Sequence, residues 1–422
     1  MAFHNFGIKT LIYFLPLAII TGPFLSDLTI SLISIFFISL SIIKKLKKYY
    51  LNIYSLTFFS WCLYIIINSF FSKNITLSLE SSLFYIRFGI FSLSIWYAFE
   101  NFDKLKKHFT LIFLCIYLFV VFDAYIQYIF GTNILGFKYS GGRVSGIFNN
   151  EFVLGSYLSR LFPFLLALVL MNFQNSKILT ISTLLLLILV DILVFLSGER
   201  TAFFYLILST LIIILFIKKW RILRISTFII SLFIISLISV NNSKVKDRMI
   251  DRSIEQITQH GNLNIFSIQH QAYYQSSFNI FMDHKIFGAG PKMFREYCKL
   301  EKYNFIPIND QSQNGCSTHP HNTYLQLLSE IGLVGVLPII LLLFFCFYYF
   351  FNKLIFYIKK FKLRKDNDLD DPVLTCLVLS ILISLWPFVP TGSFFNNWLN
   401  IIYYLPIGVL FYHKTNIKKK IK

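Results

Sequence analysis

The sequence predicts an all-α polytopic membrane protein with about twelve transmembrane helices and one long loop late in the chain. Hydrophobic residues make up 56% of the 422 residues, and charged residues only 14%, against roughly 25% in soluble proteins. The mean hydropathy is +0.65. Apolar runs such as 184–190 and 341–351 recur along nearly the whole chain. Most of the chain is therefore expected to lie in lipid.

The individual spans follow from length, since an α-helix needs about 20 apolar residues to cross ~30 Å of hydrocarbon. Residues 1–240 are predicted to form about nine membrane helices, 241–322 a loop subdomain outside the membrane, and 323–422 about three more helices and a basic tail. The predicted spans are 8–25, 28–44, 50–71, 77–99, 107–130, 151–172, 177–197, 201–217, 222–239, 323–351, 372–391 and 396–412.

The net charge of +19 is of a size that in a soluble protein would indicate nucleic-acid binding. Here the lysines and arginines cluster at alternate connections between the spans, as expected when cytoplasmic loops carry excess positive charge. We therefore exclude nucleic acid as a partner and predict that both termini are cytoplasmic and residues 241–322 periplasmic. The clusters occupy 44–48, 104–107, 218–224, 353–365 and 414–422.

The six cysteines fall into two groups. Four of them, Cys62, Cys115, Cys346 and Cys376, lie in apolar spans, whereas Cys298 and Cys316 share the long loop. In an oxidising compartment this pair can form a disulfide. The alternative is two unpaired thiols.

The densest polar run beside a predicted span is 316–324, which contains His319, Pro320, His321 and Asn322. Proline is favoured at the first position of a helix, so Pro320 is predicted to open a helix with His321 in its first turn. There the helix dipole disfavours an imidazolium ion and keeps His321 neutral, as a general base must be. The alternative is that both histidines only cap and anchor a membrane helix.

Metal binding is not predicted for this loop. His319 and His321 are spaced like metal ligands, and His260, His270 and His284 lie in the same loop. Zinc sites normally show several ligands at recognisable spacing, and only one pair here is close in sequence. We therefore expect no metal.

Two arginines are predicted on the periplasmic side, where positive residues are scarce. Arg200 lies in the sequence SGERT at 197–201, and Arg143 in GGRVSG at 141–146. The fork-shaped, always charged guanidinium group suits a diphosphate or another anion. The alternative for Arg200 is an ion pair with its neighbour Glu199 or with another carboxylate on the outside.

Two further arginines, Arg87 and Arg160, are predicted inside spans. A charge at the centre of a span costs roughly 2.5–3.5 kcal/mol on insertion scales. Arg87 therefore needs a partner from another helix, and Asp123 and Asp191 are the candidates. The pattern leaves open whether these arginines have a structural or a functional role.

At this point the chain resembles the bacterial O-antigen ligase and O-antigen polymerase family. The order His321-Asn322, nine residues, Gly332, two residues, Gly335 is similar to that family's signature, and Arg200 stands where the family has a motif arginine after a membrane span. Residues 143–155 (RVSGIFNNEFVLG), 288–291 (GAGP) and the order of spans also agree. One departure is that His270 stands where a second loop arginine is common. Arg248, Arg252, Arg295 or a protonated His270 are the candidates for the missing charge.

The resemblance implies a GT-C-like architecture in the bacterial inner membrane, with the active site facing the periplasm. It implies transfer of a glycan from a polyprenyl-diphosphate carrier to a hydroxyl of lipid A core or of a growing glycan, without a metal or another cofactor. His321 is expected to act as general base and Arg200 to stabilise the leaving diphosphate. Arg143, Asn322, His319 and His270 are expected to bind substrate.

Two choices remain open at this stage. The residues do not distinguish a ligase from a polymerase, because loop shape decides which acceptor sugar fits. The alternative function is a transporter or flippase for a lipid-linked or anionic solute. Transporters typically show internal repeats and paired broken helices, and the sequence shows neither clearly.

Overall fold

The structure is a computed structural model that describes residues 2–173, 176–258, 265–307, 314–360 and 371–421. These residues form eighteen α-helices and no β-strand. The helices are α1 (Ala2–Thr21), α2 (Pro23–Lys44), α3 (Lys47–Tyr50), α4 (Ile53–Ser69), α5 (Ile75–Ser82), α6 (Ile86–Asn101), α7 (Leu105–Phe130), α8 (Leu154–Phe173), α9 (Lys177–Leu196), α10 (Arg200–Phe216), α11 (Arg221–Asn241), α12 (Ser243–Lys246), α13 (Arg252–Thr258), α14 (Ile268–Asp283), α15 (Phe294–Tyr297), α16 (Thr323–Lys360), α17 (Pro372–Ser384) and α18 (Asn397–Ile421).

The predicted class, an all-α polytopic membrane protein, is confirmed. Among the described residues, eight helical segments are long and apolar enough to cross a membrane: α1, α2, α5 with α6, α7, α8, α9, α11 and α16. Three shorter apolar helices, α4, α10 and α17, accompany them. Every predicted span overlaps a helix, but the count of twelve crossings stays a prediction.

Two predicted boundaries are wrong, and proline explains both. The first two helices meet at Gly22 and Pro23, not at 26–27, because Gly22 takes the left-handed φ of 116° and Pro23 opens α2, where proline is favoured. The predicted span 372–391 ends as a helix at Ser384. Pro387 and Pro390 follow, and proline removes a backbone donor and restricts the residue before it. Residues 385–396 therefore run as an irregular segment.

The centre of the bundle is α8, in which every residue from Leu154 to Leu170 except Ser156 is buried. Its sequence is apolar on all sides except at Arg160 and a few small polar residues, as expected of a helix enclosed by others. The helix packs against α7, α9, α10 and α17, and α17 is almost completely buried too. The start of α8, which borders the cavity described below, and α17 are therefore held firmly.

Two arginines inside the bundle form ion pairs with aspartates, and the predicted partners of Arg87 are wrong. Arg87 pairs with Asp27 at 2.6 Å. Asp191 instead pairs with Arg224 at 2.8 Å, with both side chains fully buried. Asp123 accepts hydrogen bonds from the loop that follows α7. These pairs join neighbouring helices and have a structural role.

Helix α16 is broken at Gly332, which has a left-handed φ of 66°. The loop segment 285–290 supplies the hydrogen bonds that the break removes. The amides of Ala289 and Gly290 donate to the carbonyls of residues 329 and 330, and the amides of residues 333 and 334 donate to the carbonyls of residues 285 and 286. The close neighbour of Gly332 is therefore this loop, which carries the GAGP sequence.

Replacing Gly332 with alanine is expected to prevent stable folding. The new Cβ would lie 2.3 Å from the carbonyl oxygen of Ile286, and the backbone would keep a φ that L-residues disfavour. Gly136 is the matched control, because it has a φ of 83° but nothing within 4 Å of its Cβ position. Gly136→Ala should cost only the ~1–2 kcal/mol of the left-handed conformation. Thermal unfolding in detergent compares them, and equal losses would contradict the close packing.

The predicted disulfide between Cys298 and Cys316 is confirmed, with the two Cα atoms 5.0 Å apart. It ties the turn after 288–291 to the segment that leads into His319 and His321. The sequence separation of 18 residues corresponds to about 3 kcal/mol of stabilisation in the chain-entropy account.

Loss of this disulfide is expected to lower the free energy of unfolding by that amount. Cys298→Ser should therefore melt earlier than the native protein, whereas Cys115→Ser, which removes an exposed free thiol, should not. Mass spectrometry of non-reduced peptides from native membranes gives a direct check. Two freely alkylated thiols at 298 and 316 would contradict the bridge.

Candidate active site

One cavity of about 1240 Å³ lies where six parts of the bundle meet. These are the α1–α2 junction, the α7–α8 loop, the α9–α10 turn, the segments 248–257 and 265–270, the segment before α16 with His321, and the irregular segment 385–396 with the start of α18. Ligand cavities of membrane enzymes and other proteins are concave and mostly apolar with a few converging polar groups. This cavity has that composition.

The cavity lining combines two kinds of side chain. Its polar residues include Arg143, Arg160, Glu199, Arg200, Arg248, Gln256, His270 and His321. Its apolar residues include Ile19, Ile20, Pro23, Phe388, Trp398 and Leu399. The cavity therefore suits a ligand that has both an anionic and an apolar part.

The cavity is positively charged, with four arginines against the two acidic residues Glu151 and Glu199. Glu199 accepts hydrogen bonds from the amides of Gly155 and Ser156 at 2.7 and 3.0 Å, and from the Ser156 hydroxyl. It thus satisfies the free amides at the start of α8. The alternative of an Arg200–Glu199 pair is wrong, because Arg200 donates to the side-chain oxygen of Gln256.

A tight turn between α9 and α10 holds two of the arginines. Gly198 in this turn has a left-handed φ of 71°. The Nε of Arg143 donates to the Ser197 carbonyl at 3.1 Å, and the Nε of Arg248 lies 3.4 Å from the Gly198 carbonyl. A Cβ at Gly198 would lie 2.9 Å from the Arg143 side chain. The turn therefore places both guanidinium groups beside Arg200.

His321 does not lie in the first turn of a helix. Helix α16 begins at Thr323, and Asn322 caps it by accepting hydrogen bonds from the amides of residues 324 and 325. Asparagine is a strong N-cap residue, and this preference overrides that of Pro320. His321 takes a left-handed φ of 57°, and its carbonyl accepts the amide of Thr391 at 2.8 Å.

The imidazole of His321 lies among other rings and lines the cavity. It stacks on Tyr273 with a centroid distance of 5.4 Å and contacts the rings of His270 at 5.6 Å and His319 at 4.1 Å. Burial lowers the pKa of His321 below its usual value. Burial, rather than the helix dipole, therefore keeps this imidazole neutral near pH 7.

The neighbouring histidines are neutral as well. Burial lowers the pKa of His270 to about 4 and that of His319 to about 3. A protonated His270 therefore cannot supply the charge of the missing loop arginine. Arg248 lines the cavity and can supply it, whereas Arg252 pairs with Asp247 on the surface.

The six residues assigned to the site from sequence divide into two groups. Arg143, Arg200, His270 and His321 line the cavity. His319 packs against the ring of His321 from outside the lining. Asn322 is buried and its amide donates to the carbonyl of Pro387, so both ends of its side chain hold the backbone around His321.

Two cavity residues had no sequence signal, because their neighbours come from distant elements: Gln256 on α13 and Thr391 in the irregular segment. Arg160 on α8 was recognisable in the sequence only as a charge inside a span. Within the described ranges, no group of three or more His, Cys, Asp or Glu residues could hold a metal ion. His260 lies outside these ranges.

A family model described as O-antigen ligase matches residues 183–340. This part of the chain is therefore similar to an O-antigen ligase domain. The matched region contains Arg200, Arg248, His270, His321 and the break at Gly332, whereas the segments with Arg143 and Arg160 precede it. No curated protein matches the chain. The matched family is one of glycosyltransferase-like enzymes of lipopolysaccharide biosynthesis.

Proposed function

We propose that this protein transfers a glycan from a polyprenyl-diphosphate carrier to a hydroxyl acceptor, which is lipid A core or a growing glycan. The observation that carries the proposal is that one cavity combines a neutral His321 with four arginines, none of which has a carboxylate within ion-pair distance in the described residues. The apolar residues of the same cavity can contact an acyl or prenyl chain.

The chemistry is a single displacement. The acceptor hydroxyl gives its proton to His321 while its oxygen attacks the anomeric carbon of the donor glycan. The bond from that carbon to the diphosphate breaks, and its electron pair leaves with the polyprenyl diphosphate. Arg200, Arg143 and Arg248 stabilise the negative charge that develops there.

This role for His321 predicts a specific pH dependence. A general base works only when it is unprotonated, so activity is complete above its pKa and falls as the pH drops through it. Because burial lowers the pKa of His321 below its usual value, the midpoint of the decline in turnover should lie below pH 6.5, the usual pKa of histidine. A pH–rate profile at saturating donor tests this. A decline centred above 6.5 would contradict a buried, neutral base.

We also propose that the cavity faces the periplasm. The lysine and arginine clusters at 44–48, 104–107 and 218–224 follow helices that lead away from the cavity end, and such clusters mark the cytoplasmic side. Of the cluster at 353–365, residues 361–365 lie outside the described ranges.

Cysteine labelling in intact cells tests this orientation. On a Cys115→Ser background, Ser253→Cys at the cavity should react with an impermeant maleimide applied outside the inner membrane. Lys219→Cys, at an exposed position on the opposite side, should react only after the membrane is opened. The reverse pattern would overturn the orientation.

Deletion of the gene tests the function and separates its two forms. Surface glycolipid from a ligase mutant should show uncapped core together with free long polymer. A polymerase mutant should show core that carries single repeats. An unchanged gel pattern in the deletion strain would count against both.

A further inference from the structure

Arg160 is a buried cation that the proposed mechanism does not use. It lies on α8, is 3% exposed, and belongs to the cavity lining. A charge inside a membrane segment costs roughly 2.5–3.5 kcal/mol on insertion scales and by default marks a functional site or a paired residue. The question is therefore what balances this charge.

The chain provides only part of the hydrogen bonds that Arg160 can make. Its Nη2 donates to the hydroxyls of Tyr205 at 3.1 Å and Thr391 at 3.3 Å, and its guanidinium carbon lies 4.5 Å from the Tyr205 ring centroid. Nε and Nη1 are buried and have no partner among the described residues. Both partners of Arg160 are neutral.

Arg224 shows how the same fold balances a buried arginine that is purely structural. Arg224 is 0% exposed, and its two terminal nitrogens bind the two oxygens of Asp191 at 2.8 and 2.9 Å. Arg160 has no carboxylate within 4 Å in the described part of the chain. Its nearest acidic neighbour in the cavity, Glu199, is already bound to the start of α8.

The position of Arg160 connects it to the candidate base. Thr391 accepts a hydrogen bond from Arg160 through its hydroxyl and donates its amide to the carbonyl of His321. Tyr205 lies on α10, the helix that Arg200 opens. Arg160 is therefore held between the irregular segment that is hydrogen-bonded to His321 and the helix α10 that begins at Arg200.

We propose that Arg160 is a fourth ligand for the donor's diphosphate, and that this anion is the counterion that the chain itself does not provide. The proposal rests on the proposed function. The phosphate oxygens accept from the guanidinium nitrogens that have no partner, and Tyr205 and Thr391 hold Nη2 in place. Charge-assisted, two-pronged contacts of this kind are the strong ones for phosphate.

Binding of inorganic pyrophosphate to the purified full-length protein in nanodiscs tests the proposal. Arg160→Gln should weaken pyrophosphate binding about tenfold or more, as expected for loss of a charged hydrogen bond, and should raise the KM for the lipid-linked donor. Arg160→Lys should give an intermediate affinity, because it keeps the charge and loses the fork. Arg87→Gln is the matched control, since Arg87 is paired with Asp27 outside the cavity, and it should bind pyrophosphate as the native protein does.

The outcomes separate this inference from the proposed function. Native pyrophosphate affinity and native KM in Arg160→Gln would overturn the role of Arg160 and leave glycan transfer intact. If Arg160→Gln does not fold, native affinity and KM in Arg160→Lys would overturn it equally. Absence of pyrophosphate binding to the native protein would overturn the anion site itself. Binding that depends on Arg160 without any glycan transfer would support the anion site and count against the transfer reaction.

Discussion

Replacing His321 with alanine is expected to abolish nearly all glycan transfer while donor binding survives. A positioned general base contributes roughly 10²–10⁴-fold to a rate, and the imidazole of His321 lines the same cavity as Arg200. Donor binding should survive because the arginines, and not the imidazole, bind the diphosphate. Turnover per folded molecule and donor affinity, measured on the same preparation, show both effects.

His284 provides the matched control for this substitution. It lies in the same loop and is partly buried against Tyr297, but it does not line the cavity. His284→Ala should therefore keep native turnover. If His321→Ala kept turnover and only lowered the amount of protein in the membrane, His321 would be an anchor and not the base.

Replacing Arg200 with lysine is expected to weaken donor binding and turnover together. Lysine keeps the charge but loses the planar fork that matches phosphate oxygens. A hydrogen bond to a charged group is worth roughly 1.5–3 kcal/mol, so the loss in kcat/KM should be on the order of ten- to a hundredfold. Raising the pH should not restore activity, because no proton transfer has been removed.

Arg252 is the control for Arg200. It is exposed and pairs with Asp247 at 2.9 Å, and it lies outside the cavity lining. Arg252→Lys should leave donor affinity and turnover unchanged. Native kinetics in Arg200→Lys would show that the motif arginine does not contact the phosphate.

The sequence predicted the helices and the main charged residues of the site because both depend on local patterns. Apolar stretches of about 20 residues strongly indicate membrane helices. The motif residues His321, Asn322, Gly332 and Gly335 lie within one short segment. The two loop cysteines were also recognisable from their position alone. In each case the information lies close together in the chain.

Other features could not be predicted because they depend on elements that are distant in sequence. Thr391 reaches the carbonyl of His321 across 70 residues, and Glu199 caps α8 from the following helix pair. The start of α16 was misplaced because two local preferences compete, and the Asn322 cap prevails over Pro320 at the first helical position. Arg248 was one of several candidates until the cavity separated it from Arg252 and Arg295.

The choice between an enzyme and a transporter is the central one, and reconstitution decides it. Purified protein in nanodiscs, given a polyprenyl-diphosphate-linked glycan and an acceptor glycolipid with a free hydroxyl, should produce a larger glycolipid and free polyprenyl diphosphate in equal amounts. His321→Ala should produce neither. In proteoliposomes, movement of the intact donor across the bilayer with no new glycosidic bond would contradict the account and support a flippase.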